Sequence, residues 1–266
     1  MDSTVVKAFS LLELLAKSEE PLGVTELASR LGFGKSNVHR LLQTLIALDY
    51  VQKTDGAGYM ATLRMWEFGS SIVSRVVLRD IARPTMRNLS SLTKEAVHLS
   101  QYEAGEVIYL DKIESKEPVR AYTQLGGRAP AYCTATGKIM MAYLTEAEVR
   151  HVYETVQAST PNTITDVDRF LSQCAEARTR HYALNTGEWR ADIIGLAAPI
   201  ADRSGVVVSA IGISAPASRL SAETIERYAP DLVQAGREIS MQLGCSAERW
   251  EALGRSHAAP MATAEH

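Results

Sequence analysis

The ten residues KSNVHRLLQT carry Lys35, Ser36, Asn37, His39, Arg40, Gln43 and Thr44 among only three apolar positions. These side chains suit nucleic acid. Arg and Lys hold phosphates or the guanine edge, Asn and Gln pair with adenine, and Ser and Thr bond to either. Val38, Leu41, Leu42, Leu45 and Leu48 recur at spacings of three and four, which predicts a helix over about 35–49 whose apolar side is core. On such a helix Ser36, Asn37, Arg40, Gln43 and Thr44 fall on the opposite face. That stripe bonds by hydrogen bonding rather than by salt bridges, and it is richest in the first turns.

Other chemistry is harder to assemble. The chain has no G-x-S-x-G, G-x-G-x-x-G, H-E-x-x-H or G-x-x-x-x-G-K-[ST] motif. Cys133 with His98 or His151 is conceivable as a thiol pair, but a lone Cys opening a helix reads first as a small packed residue. His98, in a strand, reads as a core or pocket histidine. His98, His151 and His181 lack metal-ligand spacing, so neither metal nor cofactor is expected. Cys133, Cys174 and Cys245 lie far apart, which suits a reducing compartment better than a disulfide framework.

The elements around KSNVHRLLQT must present it. A helical pattern from Val5 to Leu15 ends at Pro21-Leu22-Gly23. Gly23 and Glu26 then open a short helix that Gly32-Phe33-Gly34 breaks. After the third helix, Tyr50 to Lys53 and Tyr59 to Thr62 flank a Gly-containing turn and read as a hairpin. Three helices followed by a hairpin give a winged helix-turn-helix over 1–62, in which the third helix enters a major groove. Lys53 supplies a backbone contact, and Gly56 and Gly58 let the wing approach the minor groove. Charge does not decide the matter, since residues 1–64 hold seven Lys or Arg and seven Asp or Glu.

At 266 residues and 46% hydrophobic the chain has room for a second domain. A helix over 63–79, apolar on more than one stripe, reads as a linker that also pairs with a second subunit. Another helix follows from Asp80 to Thr93, with Pro84 tolerable in a first turn. AVHLSQY, VIYLDKI and PVRAYTQL read as strands, as do Ile193–Ala201 and Val206–Ser214. Helices are expected over Cys133–Leu144, Thr145–Tyr153, Asp166–Arg180 and Ser221–Leu243. The order suits an α+β domain over 80–244, with an antiparallel sheet and helices, followed by a largely disordered tail over 245–266. A net charge of -3, no signal-like leader and no apolar run of membrane length point to a soluble cytoplasmic protein without a membrane partner.

LLELLAKSEEPLGVTELASRLGFGKSNVHRLLQTLIALDYV with YMATLRMWEFG resembles the N-terminal domain of the IclR family of bacterial transcriptional regulators. HLSQYEAGEVIYLDKIES, GRAPAYCTATGKIMMAYL, LAAPIAD and ISAPASRL resemble its effector domain in the same order. The resemblance implies a GAF-like effector domain and a recognition helix on Lys35, Ser36, Asn37, His39 and Arg40. It places an effector pocket around Ala121, Ala129, Ala135, Thr136, Asn185, Ile193, Gly195 and Ser214. Thr134 to Lys138 should open a helix whose free amides attract a carboxylate. Gly195 stands where the family often has Cys, which points to a roomier pocket. Trp189 reads as a surface or interface aromatic, with an aromatic ligand as the alternative.

The expected partners are double-stranded operator DNA, a small carboxylate effector and further copies of the chain as a homodimer or homotetramer, with RNA polymerase a further candidate. Two other readings stay open at this point: a DNA-binding protein whose second domain only assembles subunits, and an enzyme using that domain.

Overall fold

The computed structural model describes residues 3–56, 58–67, 77–119 and 123–255. The chain divides between residues 76 and 77 into two units, each described by itself.

In the first unit α1 (Ser3–Ala16), α2 (Val24–Leu31) and α3 (Lys35–Ala47) precede a hairpin of β1 (Val51–Lys53) and β2 (Tyr59–Ala61). Gly32, in the left-handed region at φ 66°, stops α2, and Gly34 caps α3 in extended conformation. Leu11, Leu27, Val38, Leu42 and Tyr59 pack into one core. Each fully buried aliphatic chain there contributes about 1.5–3 kcal/mol. Leu48, expected in that core, is 55% exposed. The helix ends at Ala47, and Asp49 turns left-handed at φ 63°, so Leu48 leaves the helical phase that would bury it.

The wing is tied back to the helices, because Leu22 and Tyr59 exchange backbone hydrogen bonds of 3.0 and 2.9 Å. Gly58 makes this possible: a Cβ there would stand 2.5 Å from Pro21 Cβ. Gly58 is buried, so close packing rather than approach to a groove accounts for it; Gly56 has open space around it.

The second unit holds α4 (Val77–Thr93), β3 (Ala96–Glu103), β4 (Glu106–Ile113), β5 (Arg128–Pro130), α5 (Ala135–Met141), α6 (Glu146–Tyr153), α7 (Val167–Arg180), β6 (Ala183–Thr186), β7 (Ile193–Ala201), β8 (Val207–Pro216), α8 (Ala222–Gln242) and α9 (Ala247–Leu253). The strands form one antiparallel sheet in the order β5-β4-β3-β8-β7-β6. Alternation along β7 and β8 sends Leu196, Ala198, Ile200, Ile211 and Ile213 to a layer with Met86 of α4 and Leu232 of α8. Ala197, Ala201 and Ala210 face the other layer, with Ile139 of α5 and Phe170 of α7. Arg83 Nη1 bonds Asp111 Oδ2 at 2.7 Å and fastens α4 to β4.

Several expectations change here. The strand expected in PVRAYTQL is absent among its described residues (118, 119 and 123–125), and the short edge strands β5 and β6 take up the ends of the sheet. Pro84 lies in the interior of α4, not in its first turn. Residues 245–253 are no tail, for α9 docks Trp250, 1% exposed, into the same layer as Phe170. The linker expected over 63–79 falls largely on 68–76, outside the described residues, as do 256–266.

Candidate functional site

On α3 the residues Val38, Leu41, Leu42 and Leu45 are buried, while Lys35, Ser36, His39, Arg40, Gln43 and Thr44 are exposed and Asn37 is half-buried. Lys35, His39, Arg40 and the exposed Lys53 of the wing form no ion pair with any described residue, whereas Arg30 of α2 is held by Glu26 at 2.5 Å. These side chains thus turn to solvent. Gly34 caps α3 without a side chain, so the first amides of this 13-residue helix have no side-chain acceptor and suit a phosphate oxygen. Thr44 differs from its neighbours: its hydroxyl donates back to Arg40 O at 3.2 Å, within the helix.

The second unit contains a cavity of about 160 Å³ on the sheet face that α5 covers. A void of that size matches one that admits a benzene-sized molecule. Its floor is a row across the sheet, where Asn185 pairs with Gly195, Gly195 with Ser214, and Gly212 with His98. The two glycines let α5 come close. A Cβ on Gly212 would lie 2.7 Å from Thr136 Cγ2, and one on Gly195 would lie 3.3 Å from Ala135 Cβ. Thr134 caps α5 by accepting from Gly137 N at 3.3 Å, which leaves the amides of Ala135 and Thr136 without an acceptor among the described residues.

Polar groups converge on this void. His98 is buried, with Nε2 2.6 Å from Ser214 Oγ and Nδ1 3.1 Å from Thr123 Oγ1. Burial, and then the charge of Lys112, lowers its pKa to about 4, so the ring is neutral near pH 7. Asn185 Oδ1 accepts from Glu188 N at 2.7 Å, which turns its amide nitrogen to donating. Behind the wall Lys138 Nζ meets Glu188 Oε1 at 2.6 Å, both side chains being buried. Desolvation lowers the Lys138 pKa against the pull of Glu188.

Of the expected pocket residues, Ala135, Thr136, Asn185, Ile193, Gly195 and Ser214 line the cavity together. Ala129 does not; on β5 it pairs with Val107 of β4 and packs in the core. Ala121 lies outside the described residues. Trp189 is half-buried and lines the cavity, contrary to its reading as a surface or interface aromatic. His98, Tyr109 and Thr123 join the lining, and their only sequence signal was a polar residue within an apolar strand or beside one. Cys133 is fully packed, and burial pushes its thiol up to about 12, far from a reactive thiolate. No cluster of three His, Cys, Asp or Glu suited to a metal occurs among the described residues.

A winged helix with an exposed polar face on its third helix, joined in one chain to a sheet domain that holds a small cavity of mixed polar and apolar lining, has the make-up of a DNA-binding regulator. Residues 4–55 match the IclR helix-turn-helix domain and residues 70–241 the bacterial transcriptional regulator IclR C-terminal domain. The chain belongs to the IclR family of transcriptional regulators. It is 37% identical over 245 residues to the HTH-type transcriptional regulator KdgR of Escherichia coli, covering 91% of this chain and 93% of that protein. With XynR of Escherichia coli it shares 30% over 244 residues, 91% of this chain and 97% of that protein. The crystal structure of the Thermotoga maritima IclR matches with a TM-score of 0.77 and 30% identity, over 92% of this chain and all (100%) of that one. An IclR homolog of Microbacterium hydrocarbonoxydans, complexed with 4-hydroxybenzoate, shares the fold at 22% identity with a TM-score of 0.79, over 91% of this chain and 99% of that one. No helix among the described residues is long and apolar enough to cross a membrane.

Proposed function

We propose that this regulator reads operator DNA with Lys35, Ser36, Asn37, His39, Arg40, Gln43 and Lys53, and that a small organic acid in the cavity under α5 modulates its binding or promoter activity. The observation that carries the reading is the cavity itself, where the sheet floor is reduced to Gly195 and Gly212 and polar groups of Thr136, Asn185 and Ser214 converge. The amides of Ala135 and Thr136, without an acceptor among the described residues, and the amide nitrogen of Asn185 are donors, which favours an acceptor-rich ligand. The 4-hydroxybenzoate of the Microbacterium homolog is an acid of fitting size. Thr44 contributes less to DNA than its neighbours, since its hydroxyl is already engaged. The active species is a homodimer or homotetramer on related half-sites, and a ligand shifts it by no more than its differential affinity for two arrangements.

The test is a titration of the full-length protein against the intergenic DNA beside its own gene, with random DNA as competitor, salt varied, and acids added. Saturable, salt-sensitive binding over competitor that an acid shifts supports the reading. Specific DNA binding that no acid alters, together with calorimetric silence, leaves a regulator whose second domain only assembles subunits.

A further inference from the structure

The cavity reading leaves open which end of a ligand faces which wall, and one side chain decides it. His98 stands between two hydroxyls that both line the cavity, Ser214 at Nε2 and Thr123 at Nδ1. A neutral imidazole carries one ring proton. With that proton on Nε2, His98 donates to Ser214 and accepts from Thr123; Ser214 keeps its own proton for the cavity, and Thr123 offers lone pairs only. With the proton on Nδ1 the two hydroxyls exchange roles. In either tautomer this wall offers one donor and one acceptor.

We propose that His98 is a specificity-determining residue and that the effector presents a hydroxyl to the Ser214–His98–Thr123 wall, making it a small hydroxy acid whose carboxylate lies elsewhere in the cavity. A hydroxyl donates once and accepts as well, so it satisfies both partners in both tautomers. A carboxylate at the same place meets the lone pairs of whichever hydroxyl has given its proton to the ring. A methyl or bare ring edge leaves the free donor and the free acceptor of this wall unanswered in a half-buried site, which costs more than the missing contact. The Tyr109 ring on β4 meets the His98 ring on β3 in an edge-on arrangement, with centroids 5.5 Å apart. Lys112 Nζ donates to Thr123 O at 2.7 Å, which fixes the backbone that carries the second hydroxyl.

This inference rests on the cavity being the effector site, and the experiment separates the two. Isothermal titration calorimetry on the full-length protein would compare 4-hydroxybenzoate with benzoate and with terephthalate, and 3-hydroxybutyrate with butyrate. The wild type should favour the hydroxylated member of a pair by about tenfold or more. His98→Phe should cut that preference to about twofold or less by releasing both hydroxyls, whereas His98→Gln, which can still donate at one end and accept at the other, should retain most of it. Ser214→Ala and Thr123→Val, which delete one hydroxyl each, should lower the preference at least about threefold, and they serve if the Phe variant fails to fold. Equal affinity for both members of every pair, or an undiminished preference in Ser214→Ala and Thr123→Val, would overturn the role of His98 alone. Absence of saturable heat with every acid would overturn the cavity as an acid site, and this proposal with it.

Discussion

Lys138 Nζ lies 2.6 Å from Glu188 Oε1, with both side chains nearly inaccessible and Glu188 Oε2 without a hydrogen-bond partner among the described residues. The pair joins α5 to the loop after β6, and both line the cavity, α5 through Thr136 and the loop through Trp189. Removing one partner leaves a buried charge alone. Lys138→Met should therefore destabilise the protein by about 3–5 kcal/mol, and the double variant Lys138→Met/Glu188→Leu should recover much of that loss. Urea unfolding of the four proteins of this cycle reads the result. A double variant no more stable than Lys138→Met would show that the pair is not what holds the walls.

Arg40 is exposed on α3 and makes no ion pair with a described residue. Arg40→Ala should weaken operator binding by about 1–3 kcal/mol if the guanidinium grips a base edge. Lys53→Ala should instead weaken operator and random DNA alike and flatten the salt dependence by about one unit. Competition gel shifts at several salt concentrations distinguish the two. Loss of equal size on operator and random DNA for Arg40→Ala would reassign that residue to the phosphates.

Gly58→Ala should destabilise the winged-helix domain by about 1–3 kcal/mol, because the new Cβ would press on Pro21 Cβ, 2.5 Å away, where the wing is stitched to Leu22. Gly56→Ala, in open space, should leave the melting temperature nearly unchanged. Thermal unfolding followed by circular dichroism checks both. Equal melting temperatures for the two variants would mean that the wing yields at little cost.

His98 gives the protein a dependence on pH. Its folded-state pKa, lowered to about 4 by burial and by Lys112, lies below the ordinary value of 6.5. Between those values the unfolded chain binds a proton that the folded chain refuses, so stability rises with pH across the window and is lost as pH falls from about 6.5 toward 4. The loss amounts to about 3 kcal/mol once pH has fallen to 4, and above pH 6.5 the stability is fully present. Urea midpoints at pH 7 and 4.5 should diverge more for the wild type than for His98→Gln. Parallel shifts in the two proteins would place the acid sensitivity in other groups.

What the sequence disclosed and what it hid follow from how far apart the determinants lie. The winged helix was legible because its signals are local: leucines at helical spacing, a glycine on either side of Phe33, and a short hairpin. The same spacing misled at Leu48, where a left-handed Asp49 ends the helix before the pattern does. Strands β7 and β8 announced themselves as apolar runs, while β5 and β6 are three and four residues long and hold their places by pairing alone. In the cavity, Asn185, Gly195 and Ser214 came from family resemblance. His98 read as a core or pocket histidine from its strand, but its partner did not show, because Ser214 lies 116 positions away and reaches it diagonally, two residues beyond Gly212, which pairs with His98. Trp189 was misplaced for the same reason: half-burial against a core is decided by tertiary packing that no short window contains.

The docking of Trp250 has a genetic consequence. The family match stops at residue 241, yet the Trp250 ring lies against His181, with centroids 5.6 Å apart, and fills the layer beneath Gly236. A nonsense codon anywhere from 245 to 250 would strip that ring from the interior. Such an allele should score as a null of the whole regulator, although every codon that it deletes lies beyond the family match.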